Sequence, residues 1–334
     1  MAPPSGASAA SMRAAVRTAY GPPEVVQVSD VAVPAVGDHD LLVCVHATTV
    51  NRTDCGFRSG RPYVTRFLFG YPTPRHRVLG GEFAGVVEAV GRGVTTFAVG
   101  ERVFGYSEGA LGAHAELLAI AEDGPVATMP AGQGFAAVAP ASEASHYAVG
   151  LVRWARLRPG DAVLVYGATG AIGTAAVQIL AFLGVDVTAV CGPEHLDLVR
   201  GLGASRVVDR STTDFTQDDR TYRAVLDAVG KSSFGACRRL LDADGAYLST
   251  DLGPYGQNAP LTLLTAMSPR RRAAIPIPPP RDQAQIRRFK GLLERGAFTP
   301  VVDRTYPLDD VVEAYRYVET GQKVGNVVVS VVPD

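Results

Sequence analysis

The chain has 334 residues, 47% hydrophobic and 19% charged, with a net charge of -1. That length gives room for two domains, each with a sizeable core. The balanced charge excludes the electrostatic footprint of a nucleic-acid binder, and no apolar run reaches the length of a membrane span.

Residues 1–11, rich in Ala, Ser, Pro and Gly, carry neither positive charge nor an apolar segment. They are expected to be a disordered leader rather than a signal peptide. Arg13–Val33 reads as short strands broken at Gly21-Pro22-Pro23. Leu41–Thr49 is a strong strand, and the polar cluster Asn51-Arg52-Thr53-Asp54 starts a short helix. Gly80–Val90 and Val99–Phe104 are further strands. Short strands separated by Gly, Pro and Asp turns suggest a barrel-like β domain through residue 138.

The pattern then changes. Ala141–Arg156 has apolar residues at helical spacing. Strand Ala162–Tyr166, helix Ala171–Leu183, strand Asp186–Val190, helix Glu194–Leu202 and strands Arg206–Val208, Ala224–Ala228 and Ala246–Thr250 follow, with a helix near Phe234–Leu241. Alternating β and α elements with short apolar strands predict an α/β fold with a doubly wound parallel sheet. Residues 254–285 are Pro-rich and poorly periodic; Asp282–Arg295 and Leu308–Thr320 read as helices and Asn326–Val332 as a last strand. The basic run Arg270-Arg271-Arg272 reads as a solvated edge. Cys44, Cys55, Cys191 and Cys237 are scattered without a Cys-x-x-Cys pair, which fits a reducing, cytoplasmic setting.

The chemistry starts at Val163–Gly173, a strand, turn and helix with an A-x-G-x-x-G fingerprint at Ala168, Gly170 and Gly173. Gly170 lets the backbone approach a pyrophosphate, Gly173 lets the helix pack on the strand, and the helix start, with Thr169, Ala171 and Ile172, supplies amide donors. In this strand–turn–helix context the fingerprint reads as a dinucleotide site; the alternative is glycine kept for tight packing alone. The cofactor type is read about 20 residues later, where an acid would bind the ribose 2′-hydroxyl of NAD. The second strand ends Val190-Cys191-Gly192 without one, which favours NADPH over NADH. His195, Arg210 and Lys323 are candidate partners of the 2′-phosphate; Glu194 would repel it if it points inward. Val229 and Leu252, after the fourth and fifth strands, complete the expected cofactor set.

Together with Tyr20–Val25, Thr49–Asp54, Gly80–Val87, Val99–Phe104 and Leu202-Gly203-Ala204, these residues resemble the medium-chain dehydrogenase/reductase superfamily. The chain is most similar to the zinc-free quinone oxidoreductase-like branch, from Met12 to Val332. The resemblance implies a discontinuous catalytic domain with a GroES-like barrel (12–138), a Rossmann cofactor domain (139–271), a C-terminal return (272–334) and a cleft between them. It also implies a homodimer formed through the edge of the cofactor-domain sheet, with Ala246–Thr250 and Ile275-Pro276-Ile277 as candidate segments.

Zinc enzymes of the superfamily carry Cys where this chain has Asn51 and His where it has Gly81, and a catalytic zinc takes about three protein ligands. The structural-zinc lobe is also missing, and Cys55 reads as buried packing. No metal is expected. Without a Lewis acid, reduction of an already polarised double bond is easier than oxidation of a plain alcohol. The leading function is NADPH-dependent reduction of an enone or quinone. A metal-free carbonyl or imine oxidoreductase and a non-catalytic NADPH-binding interaction protein are the alternatives.

Asn51 is read either as a hydrogen-bond donor to the nicotinamide ribose or substrate carbonyl, or as a helix N-cap. Arg52 matches a position that contacts cofactor phosphates, or is a surface arginine. Thr53 matches the hydroxyl relay of the zinc enzymes; Asp54 is a cap or ion-pair partner. Tyr63 sits in a pocket-forming loop as proton donor or pocket lining. In Glu143-Ala144-Ser145-His146-Tyr147, Ser145 keeps a hydroxyl facing the cofactor. Glu143 and His146, one helical turn apart, either form a proton-shuttling pair or are a satisfied histidine and its neighbour. His114 is read as a surface histidine. The irregular segments Arg61–Arg77 and Leu252–Ala274 are expected to set substrate specificity.

Overall fold

The structure, a computed structural model, describes residues 10–63, 65–107, 111–268, 270–276 and 280–333. The expected leader lies outside them except for Ala10 and Ser11, and Ser11 opens the first strand.

Strands β1 (Ser11–Arg17) and β2 (Val26–Ala32) form an antiparallel hairpin. Strand β3 (Asp40–Val50) leads into helices α1 (Arg52–Ser59) and α2 (Thr65–Phe69). Strands β4 (Glu82–Val90), β5 (Arg102–Tyr106), β6 (Leu117–Ala121) and β7 (Val126–Thr128) follow. Along β3, Leu41, Val43 and Val45 alternate into one core with Phe83, Val87 and Val103, as the two-residue period of a strand requires. Helices α3 (Phe135–Val138) and α4 (Ala141–Ala155) lead into the second unit.

That unit contains β8 (Ala162–Tyr166), α5 (Ala171–Phe182), β9 (Asp186–Cys191), α6 (Leu196–Gly201), β10 (Arg206–Asp209) and β11 (Tyr222–Asp227). It continues with α7 (Phe234–Cys237), β12 (Leu241–Ser249), α8 (Asn258–Thr265) and β13 (Arg272–Ala274). The six strands run parallel in the order β10-β9-β8-β11-β12-β13. Val163 and Val165 enter one core and Leu164 the other, which is why these strands read as unbroken apolar runs. The order reverses between β8 and β11, and α/β sheets bind ligands outside the carboxyl ends at such a switch point.

The chain returns through α9 (Gln283–Glu294), β14 (Val302–Pro307), α10 (Val311–Glu319) and β15 (Asn326–Ser330). β15 pairs with β3, so the first and last segments share one seven-stranded sheet, ordered β14-β15-β3-β4-β5-β7 with β6 on β3.

Several expectations need correction. The second domain boundary, expected at 271/272, cuts β13 from the parallel sheet it belongs to. Ala246–Thr250 does not form an edge, because β12 pairs on both sides and β13 is the outer strand. Ile277, in the other candidate dimer segment, lies outside the described residues. The two segments read as irregular contain α2, α8 and β13. Helix α8 escapes periodicity because its leucines bury no common face: Leu263 and Leu264 are both 78% exposed. Strand β14 was not expected either; it exposes most of its side chains and ends at Pro307.

Candidate active site

The dinucleotide turn is built almost wholly from backbone. β8 ends at Tyr166, and Gly167 turns the chain at φ +80°, a region that favours glycine. Gly170 is the N-cap of α5 and brings no side-chain cap. The first helical bond runs from the Thr174 N–H to the Gly170 carbonyl at 2.8 Å, leaving the amides ahead of it to face an anion. A Cβ at Gly173 would lie 2.1 Å from the Gly167 carbonyl oxygen, so only glycine allows this approach. Ala168, Thr169, Ala171 and Ile172 complete the turn. The Gly325 N–H donates to the Thr169 carbonyl at 2.7 Å, which fastens the C-terminal return to it.

At the end of β9, Cys191 is buried and its thiol is pushed up to about 11, chiefly by burial. The Arg210 N–H donates to the Cys191 carbonyl at 3.0 Å. No carboxylate follows on the strand itself, but Glu194 folds back over Gly192 and lies 3.5 Å from His195. Val229 packs against Gly167, and Leu252 is largely exposed. Lys323 is not with His195 and Arg210: its charge interacts with Glu143, Asp303 and Arg52. The expectation that it reaches a 2′-phosphate at the end of β9 is therefore corrected, because the return segment carries it to the start of α4.

The start of α4 is where side chains from distant segments meet. Its uncapped N-terminus docks on Glu82, the first residue of β4, which is 1% exposed. The Glu143 N–H donates to Glu82 Oε1 at 2.6 Å, the Ser142 N–H also donates to this carboxylate, and the Thr49 hydroxyl donates to Oε2 at 2.8 Å. The Thr53 hydroxyl, from α1, donates to Glu143 Oε1. Burial, together with its charge repulsion with Glu143, raises the Glu82 carboxyl. Burial pushes Glu143 up to about 7, opposed by Thr53 and the Lys323 ammonium. Lys323 is lowered to about 8, first by burial. Tyr147 hydrogen-bonds Thr53 and is pushed up to about 12. Ser145, two residues beyond Glu143, is 0% exposed, and its hydroxyl has no partner among the described residues.

Glu143 and His146 do not form the expected pair. His146 accepts a hydrogen bond from Arg281 Nε at 3.3 Å and lies beside Tyr106, ring centroids 6.2 Å apart; burial lowers it to about 4. Glu143 instead turns to Thr53 and Glu82. Asn51 is the N-cap of α1 in a reciprocal box: it accepts from the Asp54 N–H at 2.9 Å, and its own N–H donates to Asp54 Oδ2 at 3.0 Å. Asp54 is thus a cap, and Cys55 packs in the core. Arg52 is exposed on α1. Tyr63 is 62% exposed between the Arg61 and Arg66 guanidiniums. His114 is a correction: it is 0% exposed, because its segment packs across β1 and its Nε2 lies 2.7 Å from the Thr49 carbonyl.

Sequence reasoning assigned no role to Glu82, Tyr106, Tyr147 or Arg281. A signal existed for Glu82, a charged residue opening an apolar strand after Gly80-Gly81, since such a charge is buried only with partners.

The residues fit a nicotinamide dinucleotide. Gly173 stands where a Cβ would fill the cradle, the α5 start has no side-chain cap, and the buried Ser145 hydroxyl is unpartnered. Among the described residues, no group of three or more His, Cys, Asp or Glu side chains could hold a metal ion.

Two family models match: an alcohol dehydrogenase GroES-like domain over residues 37–137 and a zinc-binding dehydrogenase domain over 202–329. A quinone oxidoreductase of Pseudomonas aeruginosa is 30% identical, covering 93% of this chain and 97% of its own length. One of Homo sapiens is also 30% identical, covering 93% and 94%. The structure of the quinone oxidoreductase from Coxiella burnetii shares the fold, with a TM-score of 0.86 at 23% identity over 97% of this chain and 100% of that one. With its GroES-like unit and Rossmann-type sheet, this chain belongs to the quinone oxidoreductase-like branch of the medium-chain dehydrogenase/reductase superfamily and is an NAD(P)H-dependent oxidoreductase.

Proposed function

We propose that the protein reduces the conjugated C=C bond of a small enone or quinone, using NADPH and no zinc. The observation that carries this reading is the donor set at the cleft. Asn51 and Gly81 stand where zinc enzymes of the superfamily carry Cys and His, while Thr53, Glu143 and Tyr147 form a hydrogen-bonded cluster at the same place. Such a cleft polarises a carbonyl by hydrogen bonds and supplies a proton, which suits hydride addition to the β-carbon of a conjugated carbonyl.

The α5 amides and Gly170 would hold the pyrophosphate, and Ser145 the nicotinamide end. When bound, the cofactor supplies the hydride. The absence of an acid on β9 and the Arg210 and His195 side chains beyond it support NADPH. Glu194, which folds back over Gly192 and lies 3.5 Å from His195, is the opposing feature.

A second reading, metal-free reduction of a ketone or imine, draws on Glu143, whose carboxyl, raised to about 7 by burial, can keep a proton to donate near neutral pH. NADPH oxidation against 1,4-benzoquinone, a cyclic enone, a ketone and a cyclic imine, repeated with NADH, separates the readings. Turnover of the quinone or enone with preference for NADPH is expected. Turnover of the ketone or imine alone would replace the first reading with the second.

The four free cysteines support a reducing cytoplasm. The outer strand β13 supports a homodimer through that edge. No helix among the described residues is long and apolar enough to cross a membrane.

A further inference from the structure

We propose that Glu82 and Glu143 hold a single proton between them, carried by Glu143, and that Thr53 passes this proton to the substrate. This rests on the reading of the cleft as a reductase site.

The geometry separates the two carboxyls. Glu82 receives only donors: two amides from the first turn of α4 and the Thr49 hydroxyl. It also sits at the positive end of that fifteen-residue helix, which favours an anion. Among the described residues no backbone N–H donates to the Glu143 carboxyl; its partner is the Thr53 hydroxyl, which can accept as well as donate. Two buried carboxyls this close cannot both ionise cheaply. The charge therefore stays on Glu82 and the proton on Glu143.

The surrounding groups agree. Asp54, from α1, and Tyr106, from β5, face the same space, and both are raised above their ordinary values, first by burial. Tyr147 lies on α4 itself. Among the described residues, Lys323 is the cation that interacts with Glu143, and Arg52 lies beyond it. Ser145, buried on the same helix and without a hydroxyl partner among the described residues, is the residue expected to meet the cofactor.

When bound, the cofactor would supply hydride to the β-carbon, and the π pair would move toward the carbonyl. The α-carbon then bonds to the Thr53 hydroxyl proton as that O–H breaks. Thr53 recovers a proton from Glu143, leaving a carboxylate balanced by Lys323. Water restores the proton after product leaves, so each turnover consumes one NADPH and one proton. Glu143 acts through Thr53, and its neighbourhood holds the proton in place.

Infrared titration of the full-length protein without substrate tests the stored proton. A protonated carboxyl band is expected to persist to about neutral pH, far above ordinary carboxylates; the Glu143 component is lost in Glu143→Gln, and a component from Asp54 is identified separately by its loss in Asp54→Asn. Loss in Glu82→Gln but not in Glu143→Gln, or no such band, would overturn the assignment. Delivery is read from kcat against pH with the productive acceptor. Wild type should fall as pH rises through about 7. Glu143→Gln and Thr53→Val should each lose about 10²- to 10⁴-fold in kcat, with a flat profile and unchanged NADPH affinity by fluorescence titration. An unchanged profile in Glu143→Gln would overturn delivery. If no acceptor is turned over, delivery falls with the reductase reading, while the infrared result still decides the shared proton.

Discussion

The α5 turn and the start of α4 are made in opposite ways. The turn is backbone: three glycines and uncapped amides between strand β8 and helix α5, all within one short stretch. The start of α4 is side chain: Thr53, Glu82 and Glu143 meet from segments 61 and 90 residues apart. A backbone site tolerates little change of shape but is indifferent to pH. A buried carboxyl site tolerates isosteric change but titrates.

The largest test of that contrast is steric. Gly173→Val must displace either the Gly167 carbonyl or α5, so NADPH affinity should fall at least about 100-fold by fluorescence titration. Gly170→Ala, whose Cβ meets only the Gly167 oxygen at 3.6 Å, should cost the fold no more than about 0.5 kcal/mol in urea unfolding. Equal loss of stability in both would contradict a turn shaped by Gly173.

Next comes the carboxyl that anchors α4. Glu82→Ala strands two buried amides and the Thr49 hydroxyl, and should cost about 1–3 kcal/mol in chemical denaturation; Glu82→Gln, which still accepts, should cost less. Arg210→Ala should weaken NADPH about tenfold and leave NADH unchanged, measured as the ratio of their dissociation constants. A parallel loss for both cofactors would remove Arg210 from the 2′-phosphate.

The smallest effect is the pH signature. Glu143 is raised above its unfolded value, so the folded chain binds the extra proton. That stability is present in full below the unfolded value and is lost as pH rises through about 7. Glu143→Gln removes the dependence, so the Tm difference between wild type and variant should move in the variant's favour from pH 5 to pH 8. A constant difference would mean that Glu143 is already ionised in the folded chain.

The same contrast explains what could be read in advance. The α5 turn was legible because glycine spacing, apolar strand and helix start lie consecutively and each has a local cause. The parallel sheet was legible for the same reason, its strands being apolar on both faces. The Glu82–Glu143–Thr53 contact was not, because no local period links β4, α1 and α4. The i, i+3 rule joined Glu143 to His146, but Arg281 and Tyr106 claim the histidine from outside the helix. His114 looked like a surface residue because its burial depends on β1, about a hundred residues earlier in the chain. Helix α8 and strand β14 were missed because neither buries a periodic face.

The central claim is that this cleft runs on protons held by side chains and not on a bound metal. Its most direct test is the rate of NADPH oxidation with a cyclic enone or quinone, on protein whose zinc content has been measured, before and after a strong chelator. Full activity at negligible zinc, unchanged by the chelator, is the predicted result. Activity that disappears on chelation and returns with added zinc would contradict it.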